Sequence, residues 1–269
     1  MPELPEVETV TQSVKKHIMG KCFSSLDVNW KKVLDNFTFY DFQTSVKGRV
    51  VKNVYRRAKY IIIDFEPGIL AIHLRMTGKL YLSQRSNLEK KHVSLCMKIE
   101  DNFLVFEDVR KFGRFYLYED MNTLNEKLGL EPFDEGFSEK WILKNMKSKK
   151  RQIKSLLLDQ SFICGIGNIY ADEALWYAEI HPLSISNQIP RRKVLKLREG
   201  IIGVLSKSIE HGGTTIRDYT YDFSYVGNYV LELNVFGKQG LPCVRCKAKI
   251  IKTKVAQRGT HYCPKCQKV

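Results

Sequence analysis

Residues 243–266 read CVRCKAKIIKTKVAQRGTHYCPKC, two Cys-x2-Cys pairs with sixteen residues between Cys246 and Cys263. Thiolates from Cys243, Cys246, Cys263 and Cys266 can close a tetrahedral shell around one structural Zn2+, each pair forming a knuckle at one end of a β-hairpin. A redox dithiol or two disulfides could use the same residues, but the sequence carries no secretion signal and the segment is short and poor in apolar side chains, which favours a structural metal. The spacing therefore predicts a zinc hairpin with Gln257-Arg258-Gly259-Thr260 at its tip. Arg258 would be held outward there, either as a solvated surface residue or as a planar fork able to grip phosphate. Cys22, Cys96 and Cys164 lack partners in the sequence, sit among apolar neighbours and are expected in the core.

The same tail is strongly basic. From Leu233 to Val269 there are nine Lys and Arg and no acidic residue, so it carries most of a net charge of +15 from 44 basic and 29 acidic residues. A second basic cluster runs from Lys144 to Lys154. Such a surplus repels itself unless a polyanion is present, and its uneven distribution points to nucleic acid rather than to charge for solubility alone. Hydrophobic residues at 43% and charged residues at 27% exclude a disordered, collagenous or membrane-spanning chain. The 269 residues suit two domains and an appendage. No apolar run approaches the roughly 20 residues of a bilayer helix, and Glu3, Glu6 and Glu8 stand where a secretory signal would be basic and then apolar. The expectation is a protein that is neither secreted nor bound to membranes.

Working back from the tail, the region after Gly129-Leu130-Glu131-Pro132 is helical in pattern. Ser138 is a cap candidate, Ile153–Leu158 and Ile169–Ile180 are two helices around Gly165-Ile166-Gly167-Asn168, and Val194–Ile209 is a later helix stopped by Gly212-Gly213. Before it, β-rich runs cover Gly48–Arg56, Tyr60–Phe65, Ile69–Arg75, Val93–Ile99, Phe103–Phe106 and Arg114–Tyr118, with turns at Pro67-Gly68 and Asp101-Asn102. Val7, Val10, Val14 and Ile18 recur at helical spacing at the start, with Pro5 in the first turn.

Met1-Pro2 has a chemical reading. Removal of the initiator Met before a small residue would expose a secondary amine, and α-amino groups titrate near a pKa of roughly 7.7–8.0. A helix beginning just behind it lowers that value and leaves more neutral nucleophile. Glu3 and Glu6 would then be carboxylates beside the amine, an arrangement suited to covalent catalysis through an imine. By spacing alone the same residues are an ordinary helix lead-in.

Six motifs in register narrow this further. Met1-Pro-Glu-Leu-Pro-Glu-Val-Glu-Thr9, Arg56-Arg-Ala-Lys-Tyr60, His73-Leu-Arg-Met76, Asp108-Val-Arg-Lys-Phe-Gly113, Gly165-Ile-Gly-Asn-Ile-Tyr170 and the four-cysteine tail together resemble the bacterial formamidopyrimidine-DNA glycosylases over the whole chain. The resemblance implies an α+β multidomain fold: an N-terminal antiparallel β-sandwich with flanking helices over 1–132, a helix-two-turn-helix domain over 133–232, and a C-terminal β-hairpin zinc finger over 233–269. DNA would lie in the cleft between domains.

By the same resemblance, Pro2 attacks C1′ of a damaged nucleotide, Glu3 is the proton donor at the sugar, and Glu6 orders the site. Lys59 and Arg258 are proton donors or phosphate ligands for successive eliminations from the Schiff base, which need no redox cofactor or catalytic metal. Because a stacked base cannot be reached at C1′, the nucleotide must be flipped out. Met76, Arg110 and Phe112 match the residues that fill the void, although Met76 and Phe112 would otherwise be core residues. His73, His92, Lys111 and Lys150 are backbone-contact candidates or plain surface residues, and the family's Lys-His-Asp-His stretch survives only as Lys90-Lys91-His92. Asn168 starts a helix whose N–H groups can hold phosphate. The stretch Arg217–Tyr229 departs from the family, and its Tyr219, Tyr221, Phe223, Tyr225 and Tyr229 could stack on a flipped base or pack onto their own domain.

What this implies is a bifunctional base-excision repair glycosylase and abasic lyase for 8-oxoguanine and formamidopyrimidines. It would act as a monomer on damaged double-stranded DNA in the bacterial cytosol and nucleoid. An endonuclease VIII-like enzyme for oxidised pyrimidines is the nearest alternative, and Leu4-Pro5-Glu6-Val7 with the Met76, Arg110 and Phe112 trio argues against it. A catalytically silent DNA-binding zinc protein is the other, opposed by the presence of Pro2, Glu3 and Lys59.

Overall fold

A computed structural model describes residues 2–214 and 229–268. Among them, one compact unit comprises the chain up to Glu126 with Gly212, Gly213 and Thr214, and a second comprises Lys127–His211 with the chain from Tyr229 onward. No helix of the described residues is long and apolar enough to cross a membrane.

The first unit opens with α1 (Leu4–Ile18), on which Val7, Val10, Val14 and Ile18 form the expected buried stripe. It continues through β1 (Phe23–Val28), α2 (Phe39–Ser45), β2 (Asn53–Arg57), β3 (Tyr60–Asp64), β4 (Ile69–His73), β5 (Gly78–Ser83), β6 (Val93–Ile99), β7 (Asn102–Asp108), β8 (Arg114–Tyr118) and α3 (Asn122–Asn125). The strands form two antiparallel four-stranded sheets, ordered β1-β6-β7-β5 and β2-β3-β4-β8. Leu95, Met97, Leu104 and Phe106 of the first sheet share one core with Val54, Ile61, Ile63, Leu70, Ile72 and Phe115 of the second. Phe106 meets Phe115 edge to face at 5.1 Å. Gly113 is required by that packing, because a Cβ there would lie 2.2 Å from the Phe106 ring.

Besides the one-turn α3, three elements of this unit escape the sequence pattern. The register of β1 shifts between Phe23 and Ser25, a bulge that spoils the two-residue alternation by which strands are recognised. The strand β5 begins on a glycine and keeps four of its six residues partly exposed. Helix α2 buries a single side chain, Phe42, in the core while Phe39 and Tyr40 are exposed, so it shows no repeating apolar stripe; its start is fixed by a reciprocal cap in which Thr38 N–H donates to Asp41 Oδ2 at 2.6 Å and Asp41 N–H to Thr38 Oγ1 at 3.3 Å.

The second unit contains α4 (Glu139–Lys147), α5 (Ile153–Leu157), α6 (Asn168–Tyr177), α7 (Arg191–Glu210), and the hairpin β9 (Ile251–Val255) and β10 (Arg258–Tyr262). Ser138 caps α4 as expected, its Oγ accepting from Trp141 N–H at 3.2 Å. From Ile169 to Trp176 every residue of α6 is buried, Asp172 and Glu173 included. Those two carboxylates bind the hairpin segment to the helices. Glu173 accepts the backbone N–H groups of Asn234, Val235 and Phe236 at 2.8–2.9 Å. Asp172 pairs with Lys154 Nζ at 2.6 Å and accepts His261 N–H at 2.8 Å.

Lys154 therefore corrects the sequence reading. It lies inside a run of basic residues, yet its side chain is fully buried and adds nothing to the surface charge. Cys96 and Cys164 are buried as expected, whereas Cys22 is only half-buried, on an isolated bridge to Val50.

A buried charge left without its partner is costly, about 3–5 kcal/mol. Replacing Asp172→Ala strands Lys154 and should lower the free energy of unfolding by that order in denaturant titrations. A loss well under about 1 kcal/mol would show that the pair does not hold the helices and hairpin together.

Candidate active site and nucleic-acid interface

Pro2 is buried directly ahead of α1. Glu3 is the N-cap, and the carboxylates of Glu3 and Glu6 cap α1 reciprocally, with Glu3 N–H donating to Glu6 Oε2 at 2.8 Å. The other oxygen of Glu6 accepts Thr214 N–H at 2.7 Å. Gly213, at φ 87°, lies so close that a Cβ would stand 3.2 Å from Glu6 Cγ and Oε1. Gly212-Gly213 is thus more than the helix stop the sequence suggests: it brings the chain against the first turn of α1. Glu3 and Glu6 are 1% and 5% exposed, so two carboxylates stand at a helix N-terminus in a site from which water is largely excluded.

Lys59 sits at the two-residue turn between β2 and β3, where Ala58 adopts φ 53°. A left-handed non-glycine residue stores strain and persists only where its surroundings enforce it. Arg56 supplies the enforcement, donating to Glu8 Oε2 on α1 at 2.8 Å and to Ala58 O at 3.1 Å. The tip carrying Lys59 is therefore tied to the helix that carries Glu3.

His73 ends β4, opposite Tyr60 in register and edge-on to its ring at 4.6 Å. Its Nδ1 accepts Arg75 N–H at 2.9 Å, which leaves Nε2 as the N–H donor of the neutral ring. Burial first, and then the cations of Arg75 and Lys59, push its pKa down to about 3. His92 is half-buried in the turn before β6, and its carbonyl accepts Asp108 N–H at 2.8 Å.

Around Asp108 the structure supplies what the sequence reading missed. Its buried carboxylate collects Thr77 Oγ1–H, and the backbone N–H groups of Arg110 at 3.1 Å, Phe112 at 2.8 Å and Gly113 at 2.7 Å. One side chain thereby shapes the turn bearing Arg110, Lys111 and Phe112 and joins it to the Met76-Thr77 loop. Phe112 is 47% exposed and Met76 partly so, which removes the core reading for both. Arg110 lies over the Phe112 ring at 4.7 Å. An Asp at the head of a turn that ends in Gly was the available sequence signal.

In the second unit, Lys150 is exposed and Asn168 is the first residue of α6, whose opening turn has no capping side chain. Asn168 Nδ2 donates to Gly259 O at 2.9 Å, and Lys154 Nζ donates to Thr260 Oγ1 at 2.7 Å. The backbone beside Arg258 is thus clamped while Arg258 itself stays exposed. The hairpin tip differs from expectation. Ala256 and Gln257, at φ 50° and 59°, form a two-residue primed turn, and Arg258 opens β10 directly behind it, paired with Val255.

The ligand atoms of Cys243, Cys246, Cys263 and Cys266 all lie within 4.8 Å of one another. Zn–S bonds of about 2.3 Å in a tetrahedron require sulfur separations of about 3.8 Å; Cys243 to Cys266 is 3.9 Å and Cys246 to Cys263 is 3.3 Å. Neither distance is a disulfide bond, and the four residues fit one structural zinc ion. Tyr229 is buried beside Tyr170 at 6.2 Å, so it packs onto its own unit. Tyr219, Tyr221, Phe223 and Tyr225 lie outside the described residues.

Residues 1–115 match the formamidopyrimidine-DNA glycosylase N-terminal domain, 128–220 its H2TH domain, and 240–269 the zinc finger found in FPG and IleRS. The chain is 40% identical to formamidopyrimidine-DNA glycosylase of Enterococcus faecalis over 100% of its own length and 98% of that protein. The chain belongs to the formamidopyrimidine-DNA glycosylase family. Among solved relatives, the Lactococcus lactis enzyme bound to abasic-site DNA superposes with a TM-score of 0.93 at 39% identity, covering 99% of this chain and 100% of that one. MutM in complex with DNA containing carbocyclic 8-oxo-G gives the same score and identity, with both chains fully covered. The two antiparallel sheets, the helical region and the cysteine-bearing hairpin expected of a formamidopyrimidine-DNA glycosylase are all present.

Two measurements follow. Histidine NMR of the DNA-free protein should find the His73 ring neutral throughout pH 5–8; a midpoint near the ordinary value of about 6.5 would contradict its environment. Stripping zinc should melt the hairpin at residues 251–262, because small cysteine modules fold only around their metal; retention of slow amide exchange there after chelation would contradict a structural role.

Proposed function

We propose that this formamidopyrimidine-DNA glycosylase relative excises oxidised purines, 8-oxoguanine and formamidopyrimidines, from double-stranded DNA and then cleaves the abasic site. The observation that supports it most is the burial of Pro2 and two carboxylates at one helix N-terminus, with the Lys59 turn tied to the same helix. Once Met1 is removed, the Pro2 nitrogen is a secondary amine. Its lone pair attacks C1′, the bond to the damaged base breaks with its electrons on the base, and Glu3 passes a proton to the sugar oxygen as the ring opens.

The resulting iminium acidifies the C2′ proton. Its loss drives β-elimination of the 3′ phosphate, a second elimination expels the 5′ phosphate, and hydrolysis of the imine restores the amine. Lys59 and Arg258 serve as cations for those phosphates. Glu6, with both oxygens occupied by backbone donors, holds the geometry and does not react. Arg110 and Phe112, with Met76, fill the space of the flipped nucleotide. Neutral His73 offers an N–H donor, while His92, Lys111, Lys150 and Asn168 make further backbone contacts. The zinc ion fixes the hairpin that presents Arg258. The reading includes action as a monomer on chromosomal DNA in the bacterial cytosol.

Excision should be faster from 8-oxoguanine opposite cytosine than from thymine glycol, and Glu3→Gln should slow base release by about 10²–10⁴-fold. A preference for thymine glycol would assign the enzyme to oxidised pyrimidines instead. Unchanged base release in Glu3→Gln would remove Glu3 from the chemistry.

A further inference from the structure

Arg114 opens β8 immediately behind the turn that carries Arg110 and Phe112. Its Nη1 donates to Lys111 O at 3.1 Å and to Gly113 O at 2.8 Å. Nε faces Asp35 Oδ1 at 3.6 Å, and the guanidinium carbon lies 5.0 Å from the centroid of the Trp30 ring. Lys111, at φ 57°, has its ammonium 5.9 Å from the centre of the same ring.

The segment carrying Trp30 and Asp35 is itself fastened down. Asp35 N–H donates to Phe115 O at 2.9 Å, Asn36 exchanges two 2.8 Å bonds with the backbone of Leu117, and Trp30 N–H donates to Ser94 O at 3.1 Å. Arg114 thus bridges the fixed sheet to a turn containing a left-handed non-glycine residue. Such a turn relaxes unless something holds it. Asp35 is 42% exposed, so that ion pair alone is weak; the two charge-assisted bonds to carbonyls and the stacking on Trp30 carry the restraint.

We propose that Arg114, seated on Trp30, is a positioning residue that keeps the Arg110–Phe112 turn in the shape needed to enter the DNA stack. The proposal rests on the void-filling role given to that turn. A side chain pressed between base pairs meets the resistance of the stack, and a small misplacement of a preorganised group costs rate steeply. Asp108 gathers the turn's N–H groups from within and Arg114 its carbonyls from behind, so the peptide units between them are held on both sides.

The test compares kcat/KM for one 8-oxoguanine placed opposite cytosine in a duplex and in a single strand, where no stack resists extrusion. Arg114→Ala and Trp30→Leu should each lower the duplex-to-single-strand ratio about tenfold or more, while Trp30→Phe, which keeps an aromatic face, should restore most of it. Arg114→Lys keeps the charge on a partly exposed side chain but cannot bridge two carbonyls while stacked, so it should lower the ratio even if the alanine variant folds poorly. A general structural defect slows both substrates alike and leaves the ratio unchanged, and that result overturns the proposal. Phe112→Ala separates the two readings. If it lowers the ratio and the Arg114 variants do not, the clamp is wrong and the void-filling role stands. If Phe112→Ala itself leaves the ratio unchanged, the void-filling role falls and the clamp falls with it.

Discussion

A helix must find partners for its first N–H groups, and α1 finds them in two carboxylates of its own. Glu3 and Glu6 cap each other's backbone one residue beyond Pro2, with Glu3 N–H donating to Glu6 Oε2 at 2.8 Å. That constraint fixes the start of the helix, and the positive end of its dipole faces the position of the imino nitrogen. Because Glu6 also accepts Thr214 N–H, it joins α1 to the returning chain, and the φ of 87° at Gly213 favours glycine there. Arg56 brings the Lys59 turn to the same helix through Glu8. The geometry around Pro2 thus follows from how one helix begins.

Elsewhere the molecule uses buried charge in the same way, to hold backbone in place beside an exposed functional side chain. Asp108 shapes the turn that displays Arg110 and Phe112. Lys154 and Asp172 are both fully buried and fix the strand that displays Arg258. Glu173 anchors the run into the zinc hairpin, and burial keeps its pKa raised against the four bonds it accepts. Each is a polar group surrounded by partners, which is the condition for burying it. Arg110, Lys111, Lys150 and Arg258, expected to meet DNA, are left on the outside, whereas Lys59 is buried, and the net charge of +15 overstates that surface because Lys154 is buried too.

Elements with a clean period were legible in the sequence. The Val7, Val10, Val14, Ile18 stripe, the short runs rich in apolar and aromatic residues at β3, β4, β6 and β8, and the two cysteine pairs each reflect a local rule. Strand β1 was not legible because a bulge shifts its register, and α2 because a seven-residue helix that buries only Phe42 shows no repeating apolar period. At the site, spacing could place Pro2 and Glu3 at a helix start, but their assignment as reacting groups came from resemblance. Thr77, Lys154 and Asp172 were invisible for a different reason: their partners are remote in the chain, whereas Asp108 carried a local signal, an Asp heading a turn that ends in Gly, that the reading passed over. The hairpin tip was misplaced by two residues because Ala-Gln gives no hint that both residues adopt positive φ, where Asn-Gly would have.

The central claim is that the Pro2 nitrogen becomes covalently joined to deoxyribose during catalysis. Borohydride reduction of the enzyme mixed with 8-oxoguanine duplex, followed by mass mapping of the cross-linked peptide, tests it most directly. The account predicts a stable adduct on the proline at the head of a chain that has lost Met1. An adduct on Lys59 or another lysine, or no adduct while the base is still released, would contradict it.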